Sequence, residues 1–318
     1  MGSVGSNPTL TAIGRHAGCC NGALEVHLIA QRLRIGCSWS NGGVRLARIS
    51  PSSQPAGPIT RRTALLAAVG ILVPTLIARG EDYWAEGVRH FSAEDFRQSQ
   101  EAFERAVEQD PDNSKYSLWL ALSMGRRAER MSGLRKLAAA PLVRRMRREI
   151  ERSIELDKAN LDAHEALQAF HLEAPSFVGG SKSEAKEIAI RLGAIDAARG
   201  AAALGTYYEV IGEFDKAGES FAEARRLNPE GMGPLLKLAG FLARRGRHER
   251  SDELFDLAFS RDPDEPKLWR AAAAAWILAE RKSRYPEARA LIERYLATPD
   301  REPNPDPRSE LRKLLKKL

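Results

Sequence analysis

Cysteine is nearly missing from this chain: there are three in 318 residues, and Cys19, Cys20 and Cys37 all lie near the start. Beyond them no disulfide framework and no thiolate metal site can form, and the region is suited to an oxidising or a reducing compartment. Long apolar runs are also wanting. Thr63 to Ala78 is sixteen residues interrupted by Pro74, short of the roughly twenty that a spanning helix needs. Acid is scarce in one place only: residues 1–80 hold eight arginines, no lysine and the single acid Glu25, a net of +7 that equals the whole-chain excess of 49 basic over 42 acidic residues. The rest is balanced, so the basic character that would point to nucleic acid belongs to a leader, and nucleic acid is not an expected partner.

Catalytic patterns are absent as well. No Ser, His and Asp set and no paired carboxylates can be placed in a pocket, which argues against an enzyme; no cofactor and no small-molecule substrate are implied. Val178-Gly179-Gly180-Ser181-Lys182-Ser183 lacks the earlier glycine of a phosphate-binding loop and follows no strand. Ser181 with Glu184 instead makes a capping box for a following helix, and the two glycines let an inserted loop turn. His164 and His171 share a helix face near Glu165 and Glu173, yet seven residues is about 10.5 Å of helix, too far to share a metal easily. They are read as packing residues, and no metal site is expected.

What is present is a repeat. Gly205, Tyr208, Gly212, Ala217, Phe221, Ala224 and Pro229 superimpose on Ala239, Leu242, Gly246, Ser251, Phe255, Ala258 and Pro263 at an offset of 34 residues. Gly87, His90, Phe96, Ser99, Phe103, Ala106 and Pro111 form a third copy in the same phase. The small residues mark places where two helices approach closely, the aromatics fill the gaps, and each proline fixes where a unit stops. Looser copies carry Trp119, Ala121, Ile150 and Ser153, then Leu167, Ala185 and Ala189, then Trp269, Ala273, Trp276, Ala288 and Ile292.

A 34-residue unit of this kind resembles the tetratricopeptide repeat. The resemblance covers about three quarters of the chain and implies an all-α fold: a right-handed superhelical stack of antiparallel helix pairs, an α-solenoid with a C-terminal capping helix. Residues 81–306 are expected to form about six units, with insertions near 126–145 and 174–180. Residues 307–318 form the cap, with Leu311, Leu314, Leu315 and Leu318 on one side and Arg312, Lys313, Lys316 and Lys317 on the other.

Residues 1–60 read as a disordered or wrongly started extension. Gly5-Ser6-Asn7-Pro8 is what the T-arm of a transfer RNA gene gives when read as codons, and the next methionine after Met1 is Met124, so a start at a GTG codon such as Val44 is expected instead. Residues 61–80 have the order of a signal peptide: Arg61-Arg62, an apolar stretch, then Ala78-Arg79-Gly80 before Glu81. Export to the periplasm is expected, with inner-membrane anchoring if the segment stays uncleaved.

The resemblance also implies a non-catalytic scaffold whose first helices line a concave groove for a protein or peptide partner. The phase of the repeat aims Trp84, Phe91, Leu118, Arg126, Glu165, Arg199, Glu209, Arg244 and Arg270 at that groove. The Lys-and-Asn clamp that chaperone-binding members use for a peptide carboxylate is not matched. A competing site is the segment 126–152, with ten basic residues, among them Arg144, Arg145, Arg147 and Arg148, against three acids. It suits anionic lipid headgroups, polyanions or an acidic partner.

Overall fold

The computed structural model describes residues 80–131, 139–298 and 308–318. The expectations for the extension and the signal segment fall on residues outside this set, apart from Gly80. Among the described residues there are thirteen α-helices and no strand. They are α1 (residues 80–92), α2 (Phe96–Gln109), α3 (Ser114–Glu129), α4 (Ala140–Leu156), α5 (Leu161–Glu173), α6 (Lys182–Ile195), α7 (Ala197–Ile211), α8 (Phe214–Leu227), α9 (Met232–Arg244), α10 (His248–Arg261), α11 (Pro266–Leu278), α12 (Tyr285–Ala297) and α13 (Arg308–Leu315). Six antiparallel pairs stack in sequence order, and α13 packs on α11 and α12. Successive first helices also pack on one another, α5 on α7, α7 on α9 and α9 on α11, whereas successive second helices make at most marginal contact. The first helices therefore form the tighter, inner wall of the stack.

The repeat positions explain the pairing. A Cβ on Gly87 would sit 2.6 Å from the Phe103 ring, and one on Gly205 would sit 2.7 Å from Phe221, so glycine is what lets the ring of the second helix lie against the first. Ser99 and Ser251 occupy the matching place in α2 and α10, and each hydroxyl donates to the facing carbonyl, Gly87 at 3.0 Å and Ala239 at 2.8 Å. Each second helix then stops where the proline approaches. The N–H groups of Asp110, Asn228 and Asp262 close the last turns on Ala106, Ala224 and Ala258, one residue before Pro111, Pro229 and Pro263. Side-chain caps start the next helices: Asn113, Asn160 and Asp196 accept from the backbone N–H of Tyr116, Ala163 and Arg199.

In four of the pairs the inner turn has one left-handed residue at the same place of the repeat. It is Gly212 (φ 86°) and Gly246 (φ 72°) in two units, but Glu94 (φ 61°) and Glu280 (φ 53°) in two others. The 174–180 insertion is a 3₁₀ turn, Ser176–Val178, pinned by buried Val178 and by Gly180, where a Cβ would collide with the Ala174 carbonyl. Half of the expected capping box forms. Ser181 Oγ accepts from the Glu184 N–H at 3.3 Å, while the Ser181 N–H is already donated to the His171 carbonyl at 3.1 Å.

Candidate protein-interaction surface

Four of the residues expected in the groove meet on the inner wall. Arg199 on α7 donates to Asp162 on α5 at 2.7 Å and lies 3.9 Å from Glu165 one turn further along. Glu165 is also 4.0 Å from Lys237 on α9, so two successive helices reach back to one carboxylate. Arg244 on α9 grips Glu209 on α7 through two hydrogen bonds of 2.8 Å. Each pair joins first helices of neighbouring or next-neighbouring units, which makes a ladder of alternating charge. Burial alone would lower the pKa of Arg199; its hydrogen bond to Asp162 and the charges of Glu165, Asp162 and Asp196 outweigh this and raise it, so the guanidinium stays charged.

The other expected groove residues are placed differently. Phe91 and Leu118 are core residues, 3% and 5% exposed, and offer a partner no surface. The burial of Phe91 follows from the aromatic cluster at this end, where it meets Phe96 and Trp119 edge to face. Trp84 is half-buried in the same cluster, stacked on Tyr116 at 5.4 Å with the Lys115 ammonium 4.1 Å from its ring. Arg126 pairs with Glu129 at 2.8 Å and lines a cleft at the far edge of the first pairs. Arg270 is half-buried on α11. Sequence reasoning missed Asp162 and Lys237; both lie on first helices, and the signal for them was charge opposite to Arg199 and Glu165 about one and two periods away.

The basic segment is partly neutralised. Arg145 pairs with Glu104 at 2.5 Å and approaches Glu149 at 3.8 Å, and Arg147 pairs with Glu151 at 2.7 Å. Arg144 and Arg148, one turn apart on α4, are exposed and make no ion pair among the described residues. His164 and His171 have separate environments: the first ring approaches the Lys158 carbonyl at 3.1 Å, and the second is buried against Phe170. Among the described residues no cluster of metal-binding side chains occurs, and no helix is long and apolar enough to cross a membrane.

The sequence profile of the tetratricopeptide repeat matches residues 85–124 and 202–266. Similar solved structures include a thermophilic TPR protein of Thermus thermophilus, 19% identical over 63% of this chain and 100% of that one, with a TM-score of 0.46. Pseudomonas aeruginosa PilF is 15% identical over 70% of this chain and 95% of that one, with a TM-score of 0.42. Yeast Tom70 is 18% identical over 63% of this chain and 40% of that one, with a TM-score of 0.41. No curated protein matches the sequence.

Proposed function

We propose that the chain, two stretches of which match the tetratricopeptide repeat family, is a non-catalytic scaffold that binds an extended partner segment along the wall of its first helices. Repeats of this family support protein interaction in general. The observation that carries the finer reading is the ladder of Asp162, Glu165, Arg199, Glu209, Lys237 and Arg244. Solvent-accessible ion pairs are worth about 0–1 kcal/mol each, so a partner bearing both signs of charge at matching spacing exchanges its own groups for the internal ones at little cost. Register along the ladder then supplies specificity.

Photo-crosslinking residues placed at Lys237 and Arg244 of the full chain in its own cell test this reading. Both positions are expected to capture the same partner segment, and Arg199→Glu with Arg244→Glu is expected to abolish capture while the helical circular dichroism stays intact. Capture from positions on α4 alone would overturn it. That outcome would favour the second reading, a peripheral anion binder, which the exposed Arg144 and Arg148 support. Its own signature is vesicle binding that falls steeply with salt and disappears in Arg144→Glu with Arg148→Glu.

The scaffold is proposed to work outside the cytoplasm, released or held at the inner membrane by residues 61–80. Support comes from Arg61-Arg62, the apolar stretch and the small residues ahead of Glu81. An alkaline phosphatase fusion after residue 90 that stays inactive would refute export.

A further inference from the structure

Solenoid contacts join neighbours, but one contact here spans 215 residues: the Ser309 N–H, in the first turn of α13, donates to Glu94 Oε1 at 2.6 Å. Arg130, just past α3, pairs with Glu94 Oε2. The same guanidinium donates to the Glu94 backbone carbonyl at 2.7 Å and lies 4.4 Å from the centre of the Phe96 ring. A cleft lined by Phe96, Arg126, Arg130, Glu310 and Lys313 marks the junction. On its other side α13 is tied to the last pair. Arg308 donates to the carbonyls of Leu296 at 2.8 Å and Thr298 at 2.6 Å, and Leu311 is buried in the C-terminal core. Adjacent residues of one short helix thus hold both ends of the array.

The backbone gives an independent reason to see a built contact. Glu94 stands at the left-handed turn position where Gly212 and Gly246 serve other units, a conformation that disfavours any side chain. Strain of this kind persists where surrounding structure requires the side chain. Glu280 at the equivalent turn is exposed, whereas the Glu94 side chain is only 12% exposed and points into the junction. An anion at the start of a helix is favoured by the unpaired N–H groups there, and Glu94 supplies it to α13.

We infer that α13 is a latch as well as a cap: Glu94 in the turn of the first hairpin and Arg130 at the end of α3 form a docking site for the N-terminus of the chain's own C-terminal helix. Closing the latch joins the first unit to the last and fixes the curvature that the small rotations between units would otherwise leave free. A partner that needs a different spacing of the first-helix wall must open it, and by reciprocity an open latch changes partner affinity. That consequence rests on the scaffold reading above; the latch itself does not.

The test needs no partner. In the full chain with Cys19, Cys20 and Cys37 changed to serine, spin labels at the exposed positions Arg97 and Lys316 report the distance between first hairpin and last helix. One narrow, short distribution is expected. Glu94→Gly, which keeps a residue suited to the left-handed turn and removes the carboxylate, is expected to broaden it and shift it to longer distance, and so is Arg130→Met. Glu280→Gly is expected to leave it unchanged. A parental distribution that is already broad, or one that neither Glu94→Gly nor Arg130→Met alters, overturns the latch, as does loss of helical circular dichroism in Glu94→Gly. Any of these failures leaves the crosslinking result on the inner wall standing on its own.

Discussion

Around α1 to α3 the space between helices is filled by rings. Trp84, Phe91, Phe96, Phe103, Tyr116 and Trp119 touch one another with centroids 5.1 to 6.2 Å apart. Around α6 and α7 most of the packing residues are small: beside Ile188 and Leu192, the buried residues include Ala185, Ala189, Ala198, Ala202, Ala203 and Gly200. Only Asp196 separates these two helices, and a Cβ on Gly200 would lie 2.2 Å from the Gly193 Cα. Both regions are stacked hairpins. One reaches its density by filling a gap with side chains, the other by closing the gap until backbones touch, so the repeat specifies a fit between helices and leaves open how the fit is made.

The largest effect expected from this contrast is at Phe103, which is fully buried. Phe103→Ala should cost about 3–5 kcal/mol in chemical denaturation. Gly87→Ala should also destabilise, and combined with Phe103→Leu it should cost less than the sum of the two, because a smaller ring partner makes room for the new methyl. A strictly additive pair would show that ring and glycine are not coupled.

Gly200→Ala comes next, at about 1–3 kcal/mol. Here the obstacle is the backbone of Gly193 and the Ala189 carbonyl, so no side-chain substitution on α6 should rescue it. Recovery by such a substitution would mean that the middle pairs pack through side chains after all.

The smallest effect is a pH dependence seated in the middle pairs. Burial, reinforced by the charge of Arg147, holds His171 below its ordinary pKa of 6.5, against weaker opposing pulls from Glu184 and Glu151. Its Nδ1 has no hydrogen-bond partner among the described residues. The folded chain therefore takes up this proton less readily than the unfolded one. The contribution of a neutral His171 is complete above about pH 6.5 and is lost as the pH falls below that value. Denaturation midpoints measured between pH 8 and 5 should fall for the parent and stay flatter for His171→Gln; identical slopes would discard His171 as the cause.

The fold was legible because the repeat encodes local complementarity at fixed spacing. Gly87 with Phe103, Gly205 with Phe221 and Ser251 with the Ala239 carbonyl each lie within one unit, so one period of sequence contains both partners. Glu165, Arg199, Glu209 and Arg244 share one phase of the repeat, which places them on the first helices. Phe91 and Leu118 share that phase but are buried; the rings of the first pairs draw Phe91 inward, and phase alone does not report how wide each cluster is. Asp162 and Lys237 were missed because the angle between successive first helices selects which charges meet. Glu94 gave one faint signal, a charged residue where other units have glycine.

By itself the sequence determined the helix pairs, their period and the face each presents to the next, since those depend on contacts between residues close along the chain. Only the tertiary structure decided which charges on the inner wall become partners and that Glu94 receives Ser309 from the far end. Small rotations from unit to unit add up over the whole stack, and no single repeat contains their sum.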